Sequence, residues 1–232
     1  MDKVKILIVR FVNEIRSSEV AAFRGAINGA MENANVLFHN HLEGNRLLYA
    51  YPLVQYKRIN GRAAIVCLGE GTEAIGQFFA QARFDVVLGE RSVHLEVESV
   101  KAYLVLLQPW DSQFTYRIHR WLPFNKENYE AYCKKESLAA RCAMLERLLV
   151  ANILSFAKGL DIYFDKTVTV SLTNLSEPMV VYYKGVKLMG FDAEFKTNVS
   201  LPDFIGLGKG VSLGMGTVVR KRERKDNNEI ND

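Results

Sequence analysis

The first apolar run, VKILIVRFV, predicts a buried strand. SSEVAAFRGAINGAMEN follows, with apolar side chains at Val20, Phe23, Ile27, Ala30 and Met31. That is the spacing of one helix face, with Ser17 or Ser18 as the N-cap. YPLVQYKRI and RAAIVCLG read as two strands around Asn60-Gly61, the strongest short-range hairpin signal. TEAIGQFFAQAR sets Ile75, Phe78, Phe79 and Ala82 on one helical stripe. SVHLEVESVKAYLVLL alternates at first, with Val93, Leu95 and Val97 inward and His94, Glu96 and Glu98 outward. Strand, helix, hairpin, helix, strand is the βαββαβ order of a ferredoxin-like unit.

The second half repeats the idea loosely. QPWDSQ, around residues 108–113, reads as a linker, and FTYRIHRWLPF as a strand. KENYEAYCKKESLAARCAMLERLLVANILSFAKGL is helical, in two pieces. Its stripe Leu138, Cys142, Leu145, Leu149, Ile153 reads as core or as a dimer seam, with no cofactor meaning. TVTVSLTNL alternates, with Val168, Val170 and Leu172 on one face. YYKGVKLMGFDAEFKTNV predicts a hairpin whose long arm buries Phe191, Ala193 and Phe195. The fold class expected is therefore α+β, with two tandem ferredoxin-like (βαββαβ) domains. Residues 1–110 form the first domain, residues 111–222 the second, and residues 223–232 a polar tail. No short-period repeat or low-complexity segment appears.

Composition narrows the setting. A chain of 232 residues, 49% apolar and 24% charged, can build one large core or two small ones. The net charge of +4 permits an anionic partner without demanding one. The basic excess gathers at the end, where five Arg or Lys fall between Arg220 and Lys225, a pattern that also suits a solvated terminus. Three cysteines without a CxxC pair argue against a disulfide framework or a zinc knuckle and suit a reducing compartment. No apolar run approaches a membrane span, and the N-terminal ILIV is too short for a signal peptide, so a cytoplasmic location is expected.

Two glycine-rich stretches could approach a phosphate. GLGKGVSLGMG carries Gly206, Gly208, Gly210, Gly214 and Gly216, which let backbone N–H groups converge on an anion. It is neither a Walker loop nor a dinucleotide fingerprint. GEGTEA fits G-x-G-x-x-A, but Glu70 and Glu73 would stand where a pyrophosphate should lie. The strand before it also belongs to the Asn60-Gly61 hairpin, so no parallel βαβ unit opens there.

LPDFIGLGKGVSLGMGTV resembles the C-terminal signature of the CRISPR-associated repeat-processing endoribonucleases. The shared pattern is Gly-apolar-Gly, a spacer, and a second Gly-apolar-Gly, here Gly206-Leu207-Gly208 and Gly214-Met215-Gly216. FHNH followed by YPLVQYK resembles the N-terminal part of one branch of the same family. Leu213 and Met215 depart from the basic and aromatic residues that many relatives carry there. The resemblance implies two ferredoxin-like domains, metal-independent cleavage within the CRISPR repeat RNA, and a role in making guide RNAs. It also implies an early histidine, a position that His39 and His41 match.

Such cleavage turns a 2′-hydroxyl into the nucleophile. A base takes its proton, an acid protonates the departing 5′-oxygen, and nearby cations offset the charge on phosphorus. Histidine suits both proton tasks because its unperturbed pKa of about 6.5 lies near working pH. His39 and His41 are the candidate pair, with Tyr51 or Tyr49 as a second donor. Arg46, Lys57 and Lys209 are the candidate phosphate partners, with Gly206, Gly208, Gly210, Gly214 and Gly216 as the cradle. A metal centre would need further ligands near the pair, and only Glu43 is close in sequence, so no metal and no cofactor are expected. His94 reads as exposed and non-catalytic, and His119 as a solvated neighbour of Thr115 and Arg117. Tyr56, Phe114 and Trp121 suit base stacking or a core. The expected partner is single-stranded or hairpin CRISPR repeat RNA, with other CRISPR effector subunits or a second copy of the chain as further partners. The alternative is a non-catalytic RNA-binding subunit, and a protein–protein scaffold is a further rival.

Overall fold

The computed structural model describes residues 3–29, 51–81 and 84–222. Strand β1 (Lys3–Glu14) carries the first apolar run. Helix α1 (Val20–Gly29) buries Val20, Phe23 and Ile27 as the spacing predicts. Its entry differs from the expected serine cap. Ser17–Glu19 form a 3-10 turn, Arg16 takes the N-cap position, and the Arg16 amide donates to Glu19 at 2.6 Å. Ala30 and Met31 lie outside the described residues.

β2 (Val54–Ile59) and β3 (Arg62–Leu68) close as a hairpin through Asn60 and Gly61, whose φ angles of 51° and 87° suit a two-residue turn. Helix α2 (Gly71–Gln81) follows. The alternating stretch expected as one strand is instead two, β5 (Arg91–His94) and β6 (Val97–Leu106). Asn13 causes the break. Its side chain donates to the His94 carbonyl and accepts from the Glu96 amide, replacing ladder bonds there. β5 pairs with β4 (Asp85–Leu88) as an added hairpin. The sheet order β2-β3-β1-β6, antiparallel throughout, is the ferredoxin-like arrangement.

The second unit runs β7 (Pro109–Trp121), α3 (Lys126–Cys133), α4 (Leu138–Lys158), β8 (Val170–Leu175), β9 (Met179–Tyr183), β10 (Val186–Val199) and β11 (Thr217–Arg220). Its order β11-β7-β10-β8 repeats the first sheet's, with β9 added on β10. Residues 109–113, expected in a linker, belong to β7, and Pro109 sits opposite Val199 at the strand's first position, where its missing N–H costs little. The helical stretch splits in two, with Asn125 and Ser137 capping the pieces. Of the stripe on α4, Leu145, Leu149 and Ile153 are buried while Leu138 is exposed.

Where the first unit has α2, the second has none. Residues 200–216 connect β10 to β11 as a loop whose regular part is a 3-10 turn at Val211–Leu213. Gly216 makes the loop's return possible. Its φ is +60°, and a Cβ there would collide with the Leu207 carbonyl oxygen.

Both faces of the first sheet are covered at β3, although antiparallel sheets commonly leave one face in water and β6 is mostly exposed. β3 is buried at every position after Arg62. Ala63, Ile65 and Cys67 pack toward Phe23, Ile27 and Ile75 of the first unit's own helices. Ala64, Val66 and Leu68, with Val4, Ile6 and Ile8 of β1, join a core with Tyr116, Ile118, Ile153, Phe156 and Phe195 of the second unit. One apolar interior therefore spans the two units.

A shared interior predicts shared unfolding. Ile6→Ala should cost about 2–5 kcal/mol, and the loss should register at Trp121, which is fully buried in the other unit. Urea unfolding followed by tryptophan fluorescence and by far-UV circular dichroism should shift together, and separate transitions would refute a common core. Gly216→Ala should destabilise by at least about 1 kcal/mol in the same assay.

Candidate nucleic-acid interface

Three side chains at the start of the first unit's hairpin hold the glycine-rich loop of the second. The Tyr51 hydroxyl donates to the Gly206 carbonyl at 2.7 Å and accepts from Gln55 Nε2 at 2.9 Å. Gln55 Oε1 accepts from the Gly206 amide at 3.0 Å. Both backbone groups of Gly206 are thus bound from the other unit. Lys57 Nζ donates to the Val211 carbonyl at 3.2 Å and to Thr217 Oγ1 at 3.4 Å. From α1, Arg24 reaches Ser212 Oγ at 3.4 Å. Gly159 at the end of α4 lets Tyr51 approach closely, since a Cβ there would meet Tyr51 Cβ.

The loop also binds its own unit. Leu207 N donates to Gly216 O at 2.9 Å, Gly216 N to Arg120 O at 3.1 Å, and Lys209 N to Leu122 O at 3.0 Å. Gly208, Gly210, Gly214 and Gly216 all have positive φ. The amides of Gly210, Val211 and Ser212 stand together where the 3-10 turn begins. Such grouped amides suit an anion.

The expected site residues thus separate into layers. Lys209 is exposed, and Gly208, Gly210 and Gly214 are partly so. Gly206 and Gly216 are buried and shape the loop rather than line its surface. Tyr51, expected as a proton donor, has its hydroxyl engaged on both sides, and burial pushes its pKa well above the ordinary phenol value. It acts as a clamp. Lys57, expected on a phosphate, is completely buried, and burial lowers its pKa to about 7. His39, His41, Arg46 and Tyr49 lie outside the described residues. His94 is exposed and pairs with Asp85 at 2.8 Å, and His119 is exposed with Asp192 at 3.7 Å. Tyr56 and Trp121 are core, while Phe114 lines a groove.

That groove, about 790 Å³, runs between the two units. Arg10, Lys101, Arg220, Lys221 and Arg222 line it, with Asp203 as the opposing charge. The Arg10 guanidinium stands 5.4 Å from the Phe204 ring centre, and Arg220 lies 4.6 Å from that of Phe114. Arg10 Nε is buried with no hydrogen-bond partner among the described residues. A second pocket of about 280 Å³ shares Phe204 with the groove and reaches Leu213 and Gly214 of the loop. Cations interleaved with aromatic rings suit single-stranded nucleic acid, whose phosphates and bases they match separately.

Sequence reasoning missed Gln55, Arg10 and Arg220. Gln55 had little signal, since Lys57 and Arg58 of the same strand are polar too, and only its burial shows that the amide needs a partner. Arg10 and Arg220 had none, because their convergence is made by two distant strands meeting.

Comparison with known proteins agrees along the chain. The Cas6b N-terminal domain matches residues 2–103, and the Cas6b C-terminal domain matches residues 108–221. An uncharacterized protein of Methanocaldococcus jannaschii is 39% identical over 106 residues, 46% of this chain and 71% of its own length. A crystal structure of Cas6b is 26% identical, with a TM-score of 0.83 over 95% of this chain and 100% of that one. A crystal structure of the CRISPR RNA processing endoribonuclease Cas6b, 24% identical over the same shares, has the same fold with a TM-score of 0.72. Matched in both of its units by the two halves of one family, the chain belongs to the Cas6b family.

Proposed function

We propose that the chain is a metal-independent endoribonuclease that cuts CRISPR repeat RNA within precursor transcripts, making guide RNAs. A general base removes the proton of one 2′-hydroxyl, and that oxygen attacks the adjacent phosphorus. The bond to the 5′-oxygen breaks as a general acid protonates it, leaving a 2′,3′-cyclic phosphate and a 5′-hydroxyl. His39 and His41 share the two proton tasks. Lys209 and Arg46 offset phosphate charge, and the exposed turn around Gly208, Gly210 and Gly214 holds the backbone.

The observation that carries this reading is the basic, ring-lined groove that lies beside the exposed glycine-rich turn. Tyr51 binds Gly206. Asn28 accepts from Tyr56, and Arg24 of the same helix meets Ser212. These contacts hold the turn in place at the groove's side. The groove lined by Arg10, Lys101 and Arg220 supplies the path for the rest of the strand. Family membership supports the same substrate, and a crystal structure similar in fold carries the description of a CRISPR RNA processing endoribonuclease.

The repeat transcript should be cut in EDTA, leaving a 5′-hydroxyl end, and a single 2′-deoxy at the scissile nucleotide should abolish the cut. Loss of cutting with chelator would refute the metal-independent mechanism. Replacing His39 and His41 together by Ala should slow cleavage by about 100-fold or more while RNA stays bound. Normal cutting by that variant would remove the histidines from the mechanism. A chain that binds the repeat and never cuts it would be an RNA-binding subunit. Arg10→Ala and Arg220→Ala should each weaken RNA binding and lower the slope of log affinity against log salt by about 0.7.

A further inference from the structure

A lysine rarely stays fully buried without a carboxylate to pair it. Lys57 is such a lysine. It is 0% exposed, and among the described residues its ammonium donates only to the Val211 carbonyl and Thr217 Oγ1. The charged groups on the elements around it are mostly cations: Arg58 on its own strand, Arg24 on α1 and Lys209 on the loop, whose one carboxylate, Asp203, accepts from the Arg220 amide at 2.6 Å. Beside Thr217, β7 adds His119 and Arg120. Asp192 on β10 is taken by the Arg120 amide at 2.7 Å and lies 3.7 Å from the His119 ring. The phenols of Tyr51 and Tyr56 are held neutral by burial. No counter-ion for Lys57 stands among the described residues.

This ammonium lies beneath the glycine-rich loop, against Gly206 and Val211, whose neighbours Lys209, Gly210 and Ser212 reach the surface. A Cβ placed on Gly206 would lie 3.0 Å from Lys57 Nζ, and the Val211 carbonyl is its acceptor. An anion held on that exposed turn would bring it a negative charge that the described residues do not supply. We propose that Lys57 is a positioning residue whose missing counter-ion is an RNA phosphate, bound across the glycine-rich loop and felt through it. The inference rests on the RNA reading above and goes beyond it. It assigns the buried lysine a charge that opposes folding and favours RNA binding.

The consequence is a link between RNA and protons. Burial holds the free protein's Lys57 near neutral, at about 7. A nearby phosphate favours the charged form and raises that value. Above pH 7, RNA binding should therefore take up a proton, and affinity should fall as pH rises. At pH 8 an unperturbed histidine is already neutral, with a pKa of about 6.5, so the lysine's contribution stands apart. The sign for folding is the reverse. The unfolded lysine keeps its proton up to 10.5, so between 7 and 10.5 the unfolded chain holds more protons and stability from this group rises with pH.

Lys57→Met keeps the stem and deletes the charge, so it tests both halves. Titration calorimetry of the CRISPR repeat transcript at pH 8, in buffers of different ionisation heat, reads the proton. The wild-type chain should take up protons, and K57M should not. K57M should bind the transcript about tenfold more weakly at pH 7, with a flatter dependence on pH. Its thermal midpoint should be unchanged or raised, most so at pH 7 and below. An affinity and proton uptake equal to wild type would overturn the inference while leaving the RNA reading intact. A destabilised K57M that loses RNA in step would also overturn it, because Lys57 would then be structural. A wild-type chain that binds no RNA would sink both.

Discussion

Gly206 has its carbonyl bound by Tyr51 and its amide bound by Gln55, and both partners come from the other unit. The rest of the candidate interface depends on that two-point grip. A loop of glycines has much conformational freedom to lose, and here the loss is met by hydrogen bonds from outside the loop. The amides of Gly210, Val211 and Ser212 stand together because the backbone before them is held. Without the grip, residues 200–216 would have to order themselves when a ligand arrives.

The grip works beside an interior that the two units share. Val4, Ile6 and Ile8 on one sheet and Tyr116, Ile118 and Phe195 on the other belong to one apolar interior. The groove between the sheets is therefore a fixed feature. Arg10 reaches it from β1 and rests against the Phe204 ring of the other unit, and Arg220 reaches it from β11 and rests against Phe114 of the adjacent strand β7. Guanidinium groups held on rings leave donors free for phosphate. The unpaired Nε of Arg10 marks where such a demand is unmet within the described residues.

On the role proposed for Lys57, stability and function pull apart. A buried ammonium is costly, and an apolar residue of similar shape would suit the interior better. Its place beneath the loop makes sense as an investment in binding, in keeping with the local inconsistencies that functional sites carry.

Residue order alone revealed two ferredoxin-like units, the second of which lacks its last helix, because period-2 and period-3.6 patterns depend on neighbours a few residues apart. Asn60-Gly61 marked its hairpin, and the paired Gly-apolar-Gly motifs marked the loop. Residue order did not reveal the break between β5 and β6, since Asn13 makes it from 81 residues away through the His94 carbonyl. Nor could it tell Lys57 from a surface lysine, or Tyr51 from a free phenol. Burial belongs to a position, and here it is set by another unit's loop closing over β2. Patterns along the chain report which face is apolar; only the meeting of two sheets decides what covers that face, and so which polar groups keep their water.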